Sequence, residues 1–153
     1  MAIQKATTRD LDAICSIYRV LFSDMAVLQP YYWTAAGQDR DFLTGVFENE
    51  KTDILIAKEA ERILGFALVQ ERQSPPYTCL VPHRFVLLMD LAVLPEERGR
   101  GIGTALLDAV KEWSRARDVD YIELQALSNN TGAIRLYERE GFAPAMQTMR
   151  IRI

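Results

Sequence analysis

Histidine and cysteine are almost missing from this chain. His83 is the single histidine among 153 residues, and Cys15 and Cys79 are the two cysteines. Neither cysteine stands in a zinc-type or redox-type spacing, so no metal is expected. Cys15 falls in a helical pattern with Leu11, Ile14 and Tyr18 and reads as a small buried hydrophobe. No apolar run approaches the ~20 residues that a helix needs to cross a bilayer. The opening MAIQKATTRD lacks the basic start and apolar middle of a secretory signal. These absences point to a cytoplasmic protein with no membrane partner. Excess positive charge is missing too, since 18 Lys and Arg against 21 Asp and Glu leave a net −3. That argues against general nucleic-acid binding, which needs a basic surface to displace counterions. Repeats, low-complexity tracts and long linkers are also absent.

What is present suits one globular domain over 1–153, with 49% hydrophobic and 25% charged residues. Residues 2–6 read as a strand, followed by a helix over 9–22 that Thr7 and Thr8 can cap. An irregular stretch, 23–38, carries Tyr31, Tyr32 and Trp33. A helix over 39–48 and strands over 53–58 and 62–70 come next. Residues 73–84 hold three prolines and break the pattern. The strongest apolar run, FVLLMDLAV over 85–93, has the composition of a strand buried on both faces. A helix over 103–117, a strand over 121–127, a helix from about 130 to 140 and a last strand over 146–153 complete the chain. Gly141 marks the stop of that last helix. Strand and helix alternate only in the second half. The expected class is therefore α/β, with a mixed sheet covered by helices.

Between the buried strand and the following helix lies Arg98-Gly99-Arg100-Gly101-Ile102-Gly103. Glycines allow a tight turn, and a helix start offers unpaired N–H groups and the positive end of its dipole. Together they make a phosphate or pyrophosphate site, with Arg98 and Arg100 adding charge. A Walker loop would need Gly-Lys-Ser/Thr, and the chain has Gly101-Ile102-Gly103-Thr104. A dinucleotide fingerprint would need G-x-G-x-x-G. Glu123 falls near the place of its ribose-binding acid, but too few residues follow for a doubly wound sheet.

The pattern Arg98-x-x-Gly101-x-Gly103 after Leu91-Ala92-Val93 resembles the acetyl-CoA signature of the GCN5-related N-acetyltransferase (GNAT) family. Downstream, Asn130-x-x-Ala133-Ile134-x-Leu136-Tyr137, followed by Gly141-Phe142, is similar to the family's second segment. Asn130 and Tyr137 lie nearly two turns apart on one helix face. The resemblance is firm from about Met89 to Phe142; residues 1–80 match in element order alone. It implies a mostly antiparallel sheet whose fourth and fifth strands splay apart, often at a bulge in the fourth. It implies pantetheine against Leu91, Ala92 and Val93, and pyrophosphate on the amides of Gly99, Arg100, Gly101, Ile102, Gly103 and Thr104 beside Arg98. Asn130 and Ala133 would form the other wall. The Val93 N–H would polarise the thioester carbonyl, and Tyr137 would protonate the leaving thiolate.

The resemblance further implies direct attack by a primary amine on acetyl-CoA, with small-molecule amines favoured, and a homodimer as a family arrangement. Acetylation of a protein or peptide amine and a non-catalytic CoA-binding sensor stand as alternatives. No general base is assigned from the sequence. Asp90 is the nearest carboxylate and equally suits a structural role; Glu123 faces an undetermined side of its strand, and a water is the third option. Relatives suggest an acceptor pocket near 23–38, with the three aromatics and Asp24, and an opposite wall from 73–84.

Overall fold

The computed structural model describes residues 1–153. The elements are β1 (Ala2–Lys5), α1 (Leu11–Leu28), α2 (Arg40–Glu48), β2 (Thr52–Glu59), β3 (Arg62–Gln73) and β4 (Arg84–Val93). Then follow α3 (Ile102–Arg115), β5 (Tyr121–Leu124) and α4 (Thr131–Arg139). The sheet has the order β1-β2-β3-β4-β5. The first four strands pair antiparallel, and β4 pairs parallel with β5 because α3 carries the chain back across the sheet.

Two-residue periodicity sends alternate side chains to opposite faces and so builds two cores. In β2, Leu55 and Ala57 join α3 residues Leu106, Leu107, Val110 and Trp113 on one face. Ile54 and Ile56 join Ile14, Ile17 and Tyr18 of α1 with Leu43 and Val46 of α2 on the other. Phe85–Val93 is the middle layer that both cores share, which explains a run that is apolar at every position except Asp90. Each such fully buried aliphatic side chain contributes about 1.5–3 kcal/mol.

Two features of β4 position the site. Asp90 lies opposite Leu68 and Leu88 opposite Val69, so Met89 is an extra residue and β4 bulges there. Pairing with β5 ends at Leu88 opposite Leu124. From Met89 onward β4 is bonded on its β3 side alone. The mixed sheet, the bulge and the splay all follow the expected pattern.

Three expectations differ from the structure. α1 runs to Leu28 instead of stopping near 22, because Leu21, Met25 and Leu28 keep the helical spacing and no breaker appears before Pro30. β5 ends at Leu124, short of 127. The last strand, 146–153, is not formed; this segment carries no secondary structure. Other boundaries shift by three residues or fewer. No helix is long and apolar enough to cross a membrane.

Candidate active site at the splay of two strands

The glycine loop is held open by backbone conformation. Gly99 and Gly101 both adopt φ of 79°, the left-handed region that side chains with a Cβ rarely enter. Gly101 is the N-cap of α3. As a result, no N–H from Gly99 through Thr104 donates to another backbone group; the first paired amide is Ala105, which reaches the Gly101 carbonyl at 3.0 Å. A run of free amides at the positive end of a 14-residue helix is an anion cradle. At position 103 a β-carbon would come within 2.9 Å of Leu136 Cδ2, so glycine lets α3 approach α4 closely.

β4 supplies the second wall. The Leu94 N–H donates to the Leu64 carbonyl at 2.9 Å. Antiparallel alternation then turns the polar groups of Leu91 and Val93 away from β3, toward the open splay. The Val93 carbonyl accepts there from Arg98 Nε at 3.1 Å. A second bond from Arg98, 2.7 Å to Asp24, ties the arginine to α1.

These walls enclose a cleft of about 700 Å³. Leu91, Ala92, Val93, Arg98, Gly99, Gly101, Ile102, Gly103, Thr104, Asn130, Ala133 and Tyr137 all line it. Of the residues expected from sequence, Arg100 alone does not; its guanidinium is taken by Glu97 and, at 3.2 Å, by Glu59. Asn130 caps α4 by accepting from the Ala133 N–H at 3.4 Å. Sequence reasoning missed the α1 contribution of Val20, Leu21, Asp24, Met25 and Leu28, along with Arg139 at the end of α4. The continuing Leu21, Met25, Leu28 spacing was the signal for the first group. Asp24, expected near an acceptor pocket, lines this cleft.

Tyr18 and Asp90 meet beside the splay, close enough for the Asp90 charge to act on Tyr137. The Tyr18 hydroxyl donates to Asp90 Oδ2 at 2.7 Å. Burial pushes the Asp90 carboxyl above its ordinary range, against the opposing effect of that bond. Burial, helped by the nearby Asp90 charge, pushes the Tyr137 pKa up to about 12. Tyr137 packs edge-on against Phe142, with ring centroids 5.9 Å apart. Glu123, the other carboxylate considered as a base, and His83 stand away from this group. Glu123 is exposed on the edge strand. At the far end of β4, His83 Nδ1 sits 2.8 Å from Asp120. No group of three or more His, Cys, Asp or Glu side chains converges on a metal-sized site.

In the aromatic stretch, Trp33 stacks near Phe22 at 6.4 Å. Tyr31 and Tyr32 are exposed and form an edge-to-face pair at 5.0 Å. Each carries a cation from the chain's own end. Arg152 lies 3.7 Å from the Tyr31 ring and Arg150 4.4 Å from the Tyr32 ring.

The comparisons agree with this geometry. Residues 11–142 match the model of the Acetyltransferase (GNAT) family. An uncharacterized N-acetyltransferase of Bacillus subtilis, YhfO, is 31% identical over 145 residues, which is 93% of this chain and 89% of that protein. A crystal structure of a BH1408 mutant from Bacillus halodurans superposes with a TM-score of 0.95 at 23% identity, covering 100% of this chain and 99% of that one. An aminoglycoside N-acetyltransferase, AAC(6')-Iy, solved in complex with CoA, superposes at 0.73 and 19% identity, covering 99% and 98%. On its matched residues and on its 31% identical relative, this chain belongs to the GNAT family of acetyltransferases.

Proposed function

We propose that this protein transfers the acetyl group of acetyl-CoA to a primary amine, with a small-molecule amine as the favoured acceptor. The observation that carries the reading is the row of free amides from Gly99 to Thr104, opening beside an unpaired strand edge. A pyrophosphate matches the amides, and an amide-bearing pantetheine arm matches the polar groups of Leu91 and Val93. Arg139 lines the cleft as a cation for further phosphate charge, while Arg98 is held by Asp24 and the Val93 carbonyl.

When bound, acetyl-CoA supplies an activated thioester. The chain's own part is to orient it and to handle two protons. The Val93 N–H, turned into the splay, serves as donor to the carbonyl oxygen. Tyr137 holds its proton throughout the neutral range, because its pKa stands near 12, and gives it to the departing thiolate. Asp90, with its pKa raised by burial, is the stronger base for that reason and receives the acceptor's proton through water. The Tyr18 hydrogen bond fixes its orientation.

The test is acetyl-CoA-dependent thiol release over a panel of polyamines, amino acids, aminoglycosides, arylamines and short peptides. Calorimetric titration of acetyl-CoA runs beside it on the wild type and on Gly101→Val. Acceptor-dependent release, with binding lost in Gly101→Val, is the expected result. Binding without release for any acceptor would favour a CoA sensor. Absence of binding would overturn the reading of the loop.

A further inference from the structure

The cleft carries one charge of the wrong sign. Leu21, Asp24, Met25 and Leu28 follow the i, i+3, i+4, i+7 spacing on α1, and all four line the cleft. Asp24 thus interrupts an apolar stripe and faces a site whose free amides and helix N-terminus favour an anion. Toward a phosphate-bearing ligand it is unfavourable twice over. Its carboxylate repels the ligand, and it occupies the Arg98 guanidinium at 2.7 Å.

What Asp24 contributes in return lies at the end of β4. Arg98, held by Asp24, donates its Nε to the Val93 carbonyl at 3.1 Å. On the other side of the same peptide, the Leu94 N–H donates to the Leu64 carbonyl at 2.9 Å. The peptide joining Val93 to Leu94 is therefore gripped from both sides. Beyond Leu88 the neighbouring strand β5 no longer pairs with β4, so the Arg98 bond stands where a strand would otherwise hold this edge. The helix behind the carboxylate is itself fastened. Asn129 Nδ2 donates to the Leu28 carbonyl at 2.7 Å, and Gln29 Nε2 donates to Asn129 Oδ1 at 3.2 Å.

We infer that Asp24 is a positioning residue. Through Arg98 it fixes the Val93–Leu94 peptide, and with it the Val93 N–H that meets the thioester carbonyl, while lowering affinity for the cofactor. This role presupposes acetyl-CoA in the cleft, the reading proposed above, and adds to it a residue that acts through another. The exchange is favourable to turnover: misplacing a reacting group by about 1 Å can slow a reaction about 100-fold. A half-exposed ion pair changes affinity by about fivefold or less.

Asp24→Ala is the deciding variant, and alanine is the better helix former, so α1 should stay folded. In the ligand-free protein its Leu94 amide should exchange with deuterium faster than in the wild type, as read by NMR. Calorimetry should show acetyl-CoA bound about fivefold more tightly at low salt, a gain that shrinks as salt rises. Turnover should fall about 10-fold or more. Tighter binding with slower turnover is a split that a merely structural role would not produce. Arg98→Met should slow turnover likewise, and adding Asp24→Ala to it should slow it no further. Asp24→Glu should restore turnover in part. Unchanged Leu94 exchange, weaker binding by Asp24→Ala, or additive losses in the double variant would each overturn the role of Asp24 and leave the acetyl-CoA reading standing. A wild type that binds no acetyl-CoA would instead overturn that reading, and the role of Asp24 with it.

Discussion

The two ends of β4 use buried polar groups in opposite ways. At the Arg84 end the half-buried carboxylates Asp53 and Glu71 meet cations or an N–H. Trp113 Nε1 donates to Asp53 at 2.7 Å, Lys5 reaches the same carboxylate at 2.9 Å, and Arg84 pairs with Glu71. Arg117 lies over the Trp113 ring at 3.5 Å. At the Val93 end, Asp90 is part-buried with a tyrosine hydroxyl as its partner, and desolvation raises its carboxyl above the usual range against the effect of that bond. The first end balances its charges and fastens the sheet. The second holds a carboxylate that would be more comfortable protonated, a condition that suits the proton transfer proposed for it. Substitutions at the two ends should therefore separate: turnover should fall at one and stability at the other.

The largest separation is expected at Tyr137. Removing its hydroxyl with Tyr137→Phe leaves the packing against Phe142 and removes the proton donor. The expected outcome in steady-state kinetics is a fall in kcat of about 100-fold, with acetyl-CoA affinity by calorimetry little changed. Equal turnover by the variant would remove Tyr137 from the chemistry.

Asp90→Asn should show both sides of the contrast at once. Loss of the base should lower kcat/KM by at least ~10-fold, and the limb of the pH profile that reports its ionisation should disappear. Stability should move the other way. The folded pKa of Asp90 is raised above its unfolded value, so its ionisation works against the fold: the stability it contributes is complete below the unfolded pKa and is lost as pH rises through the folded pKa. The variant should then be more stable than the wild type near pH 7, by about 1 kcal/mol, with the difference closing in acid. Urea melts at pH 7 and pH 4 would measure it. A variant less stable at pH 7 would mean that the bond from Tyr18 outweighs desolvation.

How far the sequence carried the reading depends on whether an element is defined by its own residues or by its neighbours. The glycine loop, the buried strand and the Asn130–Tyr137 face were legible because local chemistry dictates them: a positive φ needs glycine, and a helix start needs a cap. The helix expected to end at 22 runs on to Leu28, past polar Ser23 and Asp24. Asp24 is in fact the Arg98 partner inside the cleft. The strands at 121–127 and 146–153 have the right composition, yet a strand exists only where another chain segment bonds it. Arg100 has the right type and spacing for a phosphate, but Glu97 and Glu59 compete for it, and no motif records the competition. The pairing of Asp90 with Tyr18 joins residues far apart in sequence, so no spacing could announce it.

At the Arg84 end the expected effects are on stability alone. Trp113→Phe removes the N–H that reaches Asp53 and should lower unfolding free energy by about 1–2 kcal/mol, while kcat stays unchanged. A loss of turnover greater than the loss of folded protein would show that the two ends are coupled.

The smallest effect is expected at Asp120, also at that end. The hydrogen bond with His83, and then the Arg84 N–H, hold its carboxyl below the usual range. A lowered folded pKa means that the stability it contributes is present above the unfolded carboxylate pKa and is lost as pH falls through the folded one. The pair is exposed, where ion pairs contribute little. His83→Ala should therefore lower Tm slightly at neutral pH and not at all in strong acid, and should leave acetyl transfer intact. A clear fall in turnover for this variant would place His83 in the chemistry, and the contrast between the balanced and the unbalanced end of β4 would then fail.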